Sequence, residues 1–230
     1  MNIALILSGG IGTRMRCDIP KQYLMVKGKP IFAYCMEIFA RRKDIDAFVI
    51  VLADQWKDFF LSHLPKIEQH ICFAQPGENR QHSIYNGIKA ARANGAGDND
   101  IVIVHDATRP LVTDAIIDAC IEGCKDYDGV MPVIRMKDTI YLSEDGLTIK
   151  SLLKREQLFA GQAPESFRFG TYIKLHDEAT YEEICSLNGS TEIAYKAGLR
   201  ILLAKGDEMN FKITTPEDLK SFEAVLNSKQ

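Results

Sequence analysis

A short apolar run, Ile3 to Leu7, ends abruptly in Ser8-Gly9-Gly10-Ile11-Gly12-Thr13-Arg14-Met15, with Pro20-Lys21-Gln22 close behind. The run reads as a first β-strand. Three glycines within four residues let the backbone bend sharply and lie close to a ligand with its N–H groups exposed. Arg14 and Lys21 are placed to neutralise phosphate charge. The stretch looks built to hold a nucleoside triphosphate.

Two familiar phosphate loops do not fit it. A Walker A loop ends in Gly-Lys-Ser/Thr, and Gly12 is followed by Thr13-Arg14. A dinucleotide fingerprint needs a third small residue where Met15 stands and an acid some twenty residues on. The pattern that fits is the Leu-x-Gly-Gly-x-Gly-Thr-Arg-Met loop of nucleotidyltransferases, with a lysine nearby.

The rest of the chain alternates strand and helix patterns. Strands are expected at Ala47 to Leu52, Ile71 to Ala74, Ile101 to Val104, Val130 to Ile134 and Arg200 to Ala204. Helical spacing appears over Ile31 to Arg41, Gln55 to His63, Gln81 to Ala93, Asp114 to Tyr127 and Gly170 to Ile184. A last helix opens at Thr215-Pro216-Glu217-Asp218, with Thr215 as its cap. This alternation predicts an α/β fold, a Rossmann-like, mostly parallel sheet with helices on both faces. Ligands of such sheets bind beyond the carboxyl ends of the strands. The glycine loop, Pro76-Gly77-Glu78-Asn79-Arg80 and His105-Asp106 therefore belong to one rim. Residues 134–157 break the pattern with two short alternating runs, Ile140 to Leu142 and Leu147 to Ile149, around an Asp145-Gly146 turn. Too small and polar to pack alone, this hairpin is expected to project as an arm from a single domain spanning 1–230.

Composition narrows the function. At 230 residues and a net charge of −3, no global field attracts nucleic acid, and an anionic substrate must meet a local basic cluster. The six cysteines, at 17, 35, 72, 120, 124 and 185, show no Cys-x-x-Cys spacing and read as free thiols. No apolar run approaches membrane-spanning length, and no basic segment precedes a long apolar one. A cytoplasmic protein with no membrane contact is the expectation. Asp106, at a strand end, is a candidate Mg²⁺ ligand beside a triphosphate, because hard cations take oxygen ligands. His105 reads as a hydrogen-bonded strand-end histidine, not a catalytic one.

Motifs kept in order along nearly the whole chain carry a family resemblance. Gly-Gly-x-Gly-Thr-Arg-Met and Pro-Lys-Gln occupy 9–22, Gly-Glu-x-Arg-x-x-Ser 77–83, His-Asp-Ala-x-Arg-Pro 105–110 and Asp-Thr 138–139. Arg155 precedes Gly161-Gln162-Ala163-Pro164, and Asn210-Phe211-Lys212-Ile213-Thr214 precedes Pro216-Glu217-Asp218. The chain resembles the cytidylyltransferases that form CDP-alditols from 2-C-methyl-D-erythritol 4-phosphate or D-ribitol 5-phosphate. The resemblance implies transfer of CMP from CTP to an alditol phosphate, with Mg²⁺, in a homodimer joined by the hairpin arms. The product would feed isoprenoid synthesis or supply a teichoic acid or capsule precursor.

It also implies residue roles. The loop of Leu7, Ser8, Gly9, Gly10, Gly12 and Thr13, with Gly77, Glu78 and Ser83, would hold the nucleotide. Arg14 and Lys21 would sit on the triphosphate, and Lys212 would touch the α-phosphate. Asp106 would lie beside the metal and the acceptor, Thr139 and Arg155 would reach the partner's acceptor site, and Glu192 would belong to the acceptor half. A phosphate nucleophile is already ionised, so no general base is needed.

Two departures concern the acceptor. Ala163 stands where many methylerythritol enzymes have Thr, and Glu192 where they have Asp. The Leu7-Ser8-Gly9-Gly10 opening replaces Pro-Ala-Ala-Gly and, with Gly161-Gln162, is closer to the ribitol branch. D-Ribitol 5-phosphate is thus slightly favoured, with methylerythritol phosphate next. Rival readings from other classes are an NAD-dependent oxidoreductase, which needs the missing fingerprint, and a silent CTP-binding scaffold, which predicts lost cationic residues. Arg14, Lys21, Arg155 and Lys212 are all present.

Overall fold

The computed structural model describes residues 1–10 and 19–228. The chain opens with β1 (Asn2–Leu7), a two-residue ladder of β2 (Met25–Val26) and β3 (Lys29–Pro30), then α1 (Ile31–Ala40) and β4 (Ala47–Val51). Next come α2 (Lys57–Ser62), β5 (His70–Ala74), α3 (Arg80–Ala93), β6 (Ile101–Asp106), α4 (Asp114–Gly123) and β7 (Gly129–Arg135). The arm carries β8 (Tyr141–Leu142) and β9 (Ser151–Leu152). The chain then runs through β10 (Phe159–Gly161), β11 (Glu165–Arg168), α5 (Phe169–Glu178), α6 (Tyr181–Ser186), α7 (Glu192–Lys196), β12 (Ile201–Lys205) and α8 (Pro216–Ser228).

One eight-stranded sheet organises these elements in the order β10-β7-β11-β6-β1-β4-β5, with β12 on the other edge of β7. The pairs β1·β4, β1·β6, β4·β5 and β7·β12 are parallel, while β10 and β11 run antiparallel to their neighbours. This is the α/β, Rossmann-like arrangement that the alternation predicts. The unbroken apolar runs follow from burial on both faces. In β1, Ala4 and Ile6 pack with Phe32 and Phe39 of α1, Phe60 of α2 and Ile117 of α4. Ile3 and Leu5 face the opposite layer, with Ile84 and Ile88 of α3 and Tyr172 of α5.

Several expected boundaries shift. The single helix expected over Gly170 to Ile184 is two, because Thr180 starts a new one. Its hydroxyl accepts the Glu183 N–H, and the Glu183 carboxylate accepts the Thr180 N–H. Helix α4 ends at Gly123, four residues short of Tyr127, whose N–H bonds back to the Gly123 carbonyl. A 3₁₀ turn, Asp54–Trp56, precedes α2. Strands β10 and β11 were not expected at all. Glu165 and Ser166 disguise β11, which lies between β6 and β7 with both of these polar side chains buried.

The arm forms its own ladder, pairing Tyr141 with Leu152 and Leu142 with Ser151. The second strand thus lies beyond the expected Leu147 to Ile149. Asp145 takes the donors of that stretch instead, accepting from the N–H groups of Leu147 and Thr148 and the hydroxyls of Ser143 and Thr148. No helix among the described residues is long and apolar enough to cross a membrane. The five described cysteines are free thiols.

Candidate active site

Four strands end level at one rim. Leu7 at the end of β1 lies beside Val51 of β4 and Asp106 of β6, and Val51 lies beside Ala74 of β5. The chain fills β1, β4 and β5 in one direction, then returns to place β6 on the other side of β1. That reversal is a topological switch point, where open α/β sheets bind ligands. A cleft of about 330 Å³ opens there. Of the residues expected at the site, Leu7, Gly9, Gly10 and Lys21 line it, as do Gly77, Glu78, Ser83, Asp106 and Lys212. Gly12, Thr13 and Arg14 lie outside the described residues.

Steric closeness accounts for two glycines. A Cβ on Gly9 would lie 2.5 Å from Cβ of Pro76, and one on Gly77 would lie 2.6 Å from Cβ of His82. Gly9 thus lets the two loops pack into one cradle, and Gly77 lets its own loop close onto the start of α3. Ser8 is buried behind the cradle, its hydroxyl 3.3 Å from that of Tyr23. The 77–83 loop holds itself. The Gly77 N–H donates to Ser83 Oγ at 2.9 Å, and Ser83 Oγ donates to the Asn79 carbonyl at 2.8 Å. Asn79 Oδ1 accepts the His82 N–H at 2.8 Å and so caps α3, which makes Arg80 the first helical residue and turns it into the cleft.

Asp106 is the electrostatic hub. Its Oδ1 accepts from Arg80 Nε at 3.1 Å and its Oδ2 from Lys212 Nζ at 2.9 Å, with Arg109 Nε 3.9 Å from Oδ2. Burial alone would raise the Asp106 pKa, but Arg80, Lys212 and Arg109 overturn that and hold it well below the usual carboxylate range. Arg80 Nη1 also donates to Ser190 Oγ at 2.7 Å, and Arg109 Nη1 donates to the Asn210 carbonyl at 2.6 Å. Lys212 is held in place by its successor, since the buried Ile213 donates its N–H to the Thr108 carbonyl at 2.9 Å. His105 is buried, bonded to the Arg109 carbonyl at 3.1 Å and pushed down to about 4 by burial. It remains neutral and outside the cleft lining, as a strand-end histidine should.

The acceptor candidates stand apart. Thr139 and Arg155 are exposed on the arm, where Arg155 Nη1 donates to the Lys137 carbonyl at 2.7 Å. Glu192 opens α7, pairs with Lys196 Nζ at 2.8 Å and accepts the Asn188 N–H at 2.7 Å. None of the three lines the cleft.

A family profile described as "IspD: 2-C-methyl-D-erythritol 4-phosphate cytidylyltransferase" matches residues 2–228. The chain belongs to this family. It is 35% identical to the 2-C-methyl-D-erythritol 4-phosphate cytidylyltransferase of Clostridium novyi (strain NT), covering 99% of this chain and 97% of that one. It is also 31% identical to a ribitol-5-phosphate cytidylyltransferase of Streptococcus agalactiae serotype Ia, covering 100% and 97%. A crystal structure of 4-diphosphocytidyl-2C-methyl-D-erythritol synthase superposes with a TM-score of 0.80 at 26% identity, covering 98% of each chain. The Anaerococcus prevotii structure of the same description, at 21% identity and a TM-score of 0.83, supports the fold. This IspD-family protein is thus a CTP-dependent cytidylyltransferase, a nucleotidyltransferase acting on an alditol phosphate.

Within this IspD-family cleft, a metal finds a sparse donor set. No cluster of three or more His, Cys, Asp or Glu side chains suited to a metal occurs among the described residues. Mg²⁺ commonly binds through one or two carboxylates, with substrate phosphates and water completing its shell. Asp106, with lone pairs left beyond its two cation contacts, fits that pattern. Sequence reasoning left Gln22 and Arg80 without roles. Each lies inside a quoted motif, so the signal was present, but its partners are 12 to 110 residues away along the chain.

Proposed function

We propose that this cytidylyltransferase transfers CMP from CTP to D-ribitol 5-phosphate, giving CDP-ribitol and pyrophosphate. The convergence of Lys21, Arg80 and Lys212 around Asp106, beside the glycine loop at the switch point, carries the CTP half of the reading. Two polyanions must meet there, and fixed cations offset their repulsion without reorganising during the reaction. The acceptor's phosphate oxygen attacks the α-phosphorus of CTP in line. The bond from that phosphorus to the β-bridging oxygen breaks, and its electron pair leaves with pyrophosphate. Lys21 and Lys212 stabilise the charge that develops, and the Gly77–Ser83 loop orients the nucleoside. Mg²⁺, when held by Asp106 and the phosphates, supplies further charge neutralisation.

The ribitol assignment is supported by the Gly-Gly-x-Gly-Thr-Arg opening and by the Streptococcus agalactiae relative. Ala163, buried and lacking a hydroxyl, offers the acceptor only backbone, and its carbonyl already accepts from Asn210. The 35% identical Clostridium novyi relative supports a second reading, with 2-C-methyl-D-erythritol 4-phosphate as acceptor. Pyrophosphate release from CTP and Mg²⁺ should be fastest with ribitol 5-phosphate in a panel including methylerythritol phosphate, glycerol 3-phosphate and hexose 1-phosphates. A higher kcat/KM for methylerythritol phosphate reverses the order of the two readings.

A homodimer completes the proposal. Tyr141, Leu142, Leu147, Ile149 and Leu152 all point outward from the arm, with Leu147 90% exposed. An apolar surface of this kind fits a protein contact, and a second copy would cover it while bringing Thr139 and Arg155 to a neighbouring cleft. A biosynthetic cytidylyltransferase like the named relatives would work in the cytoplasm.

The metal role yields its own expected result. Excess chelator should abolish turnover, and Asp106→Asn should lower activity at least about tenfold while flattening the Mg²⁺ response. Full activity in chelator would remove the metal from the mechanism. An unchanged Mg²⁺ response in the variant would remove only Asp106 from the metal site.

A further inference from the structure

Gln22 is almost fully buried, at 2% exposure, yet it lines the cleft behind the glycine loop. Its Nε2 donates to two loop carbonyls at once, that of Ser8 at 2.7 Å and that of Gly10 at 2.8 Å. The Tyr23 hydroxyl adds a second donor to the Ser8 carbonyl at 2.9 Å. Tyr23 is itself fixed, stacked on Trp56 at 4.4 Å and edge-on to Phe32 and Phe59. The same 3₁₀ turn, Lys21–Tyr23, that delivers Lys21 to the cleft therefore also grips the loop from behind.

The direction of that grip matters. Carbonyl oxygens are negative and would repel a phosphate, whereas N–H groups attract it. In a trans peptide the C=O and the following N–H point to opposite sides. Drawing the Ser8 carbonyl toward Gln22 turns the Gly9 N–H the other way, and Gly9 lines the cleft. A side-chain amide suits this task, since its two N–H groups meet two carbonyls and it carries no charge into a buried position.

We propose that Gln22 is a positioning residue that fixes the carbonyls of Ser8 and Gly10 away from the cleft and thereby sets the affinity for the CTP triphosphate. This rests on the reading of the cleft as the CTP site and is independent of which alditol phosphate is the acceptor. Gln22→Met keeps the volume and removes both donors. Gln22→Glu keeps the shape and sets a carboxylate against two carbonyls. Tyr23→Phe removes one hydroxyl from a buried ring and leaves the Gly10 carbonyl held.

Calorimetry with CTP, amide exchange over residues 7–10 and steady-state kinetics test the proposal. Gln22→Met should raise the CTP Kd about tenfold, the scale of one or two lost buried hydrogen bonds. Gln22→Glu should raise it further, and Tyr23→Phe only two- to threefold. Amide exchange at 7–10 should quicken in the same order, while the acceptor KM stays close to wild type and the melting temperature falls but stays above the assay temperature. A role confined to folding would lower the active fraction and leave the CTP Kd unmoved. The inference is overturned if well-folded Gln22→Met and Tyr23→Phe both bind CTP within twofold of wild type while Lys21→Ala and Lys212→Ala bind it weakly. If none of these variants alters the CTP Kd, the assignment of CTP to this cleft falls, and the role of Gln22 with it.

Discussion

Lys212→Ala should lower turnover about a hundredfold and leave the fold intact. Loss of one charge contact to a transition state commonly costs roughly 3 kcal/mol, which corresponds to that factor. The fold survives because Asp106 retains Arg80 at 3.1 Å and Arg109 at 3.9 Å when Lys212 is gone. No buried carboxylate is stranded, so the large penalty for an unpaired interior charge is avoided. Lys21→Ala should fall in the same range, since Lys21 lines the same cleft. The check is kcat with saturating CTP and acceptor, alongside a melting curve. Turnover within threefold of wild type in a well-folded variant would take that lysine out of the mechanism.

The contrast between Asp106 and Lys212 shows what the sequence could and could not reveal. The strands β1, β4 and β6 were legible because burial on both faces writes them as unbroken apolar runs. Once those strands were parallel, the rim holding Leu7, Gly77 and Asp106 followed from the handedness and order of such sheets. Pairing was not legible. Arg80 is 26 residues from Asp106 and Lys212 is 106 away, so the hub that joins them exists only after folding. Asp106 therefore read as a candidate metal ligand or as a partner of the nearby Arg109, and the contacts from Arg80 and Lys212 could not be foreseen.

Strand β11 escaped notice for the opposite reason. Its Glu165 and Ser166 are buried polar residues in a sheet, which no hydrophobic pattern announces. Thr191 Oγ1 donates to Glu165 Oε2 at 3.2 Å, so the carboxyl is satisfied by an element distant in sequence. The arm was half legible. Its turn chemistry at Asp145 was visible, but Asp145 binds so many neighbours that the returning strand begins only at Ser151.

Mixing two inactive variants should restore activity, and this is the sharpest test of the arm. Lys21 lies in the cleft, and Arg155 lies on the exposed arm, outside the cleft lining of its own chain. If each arm completes its partner's site, an Arg155→Ala chain damages the neighbour's site and a Lys21→Ala chain damages its own. In a heterodimer of the two, both defects then fall on one site and the other site is intact. Assayed with the acceptor below its wild-type KM, each homodimer should be crippled about a hundredfold, as expected for a lost charge contact, while the heterodimer has one working site of its two. With random reassortment of equal amounts, half of the dimers are mixed, so about a quarter of wild-type activity should return, far above either parent. Arg155→Ala should chiefly raise the acceptor KM, since a guanidinium fork matches a phosphate, and leave CTP binding unchanged. A fully active monomer would refute the shared site, because no partner arm is then needed. Failure to regain activity after heterodimers are shown to form would place Arg155 at its own chain's cleft, or at none.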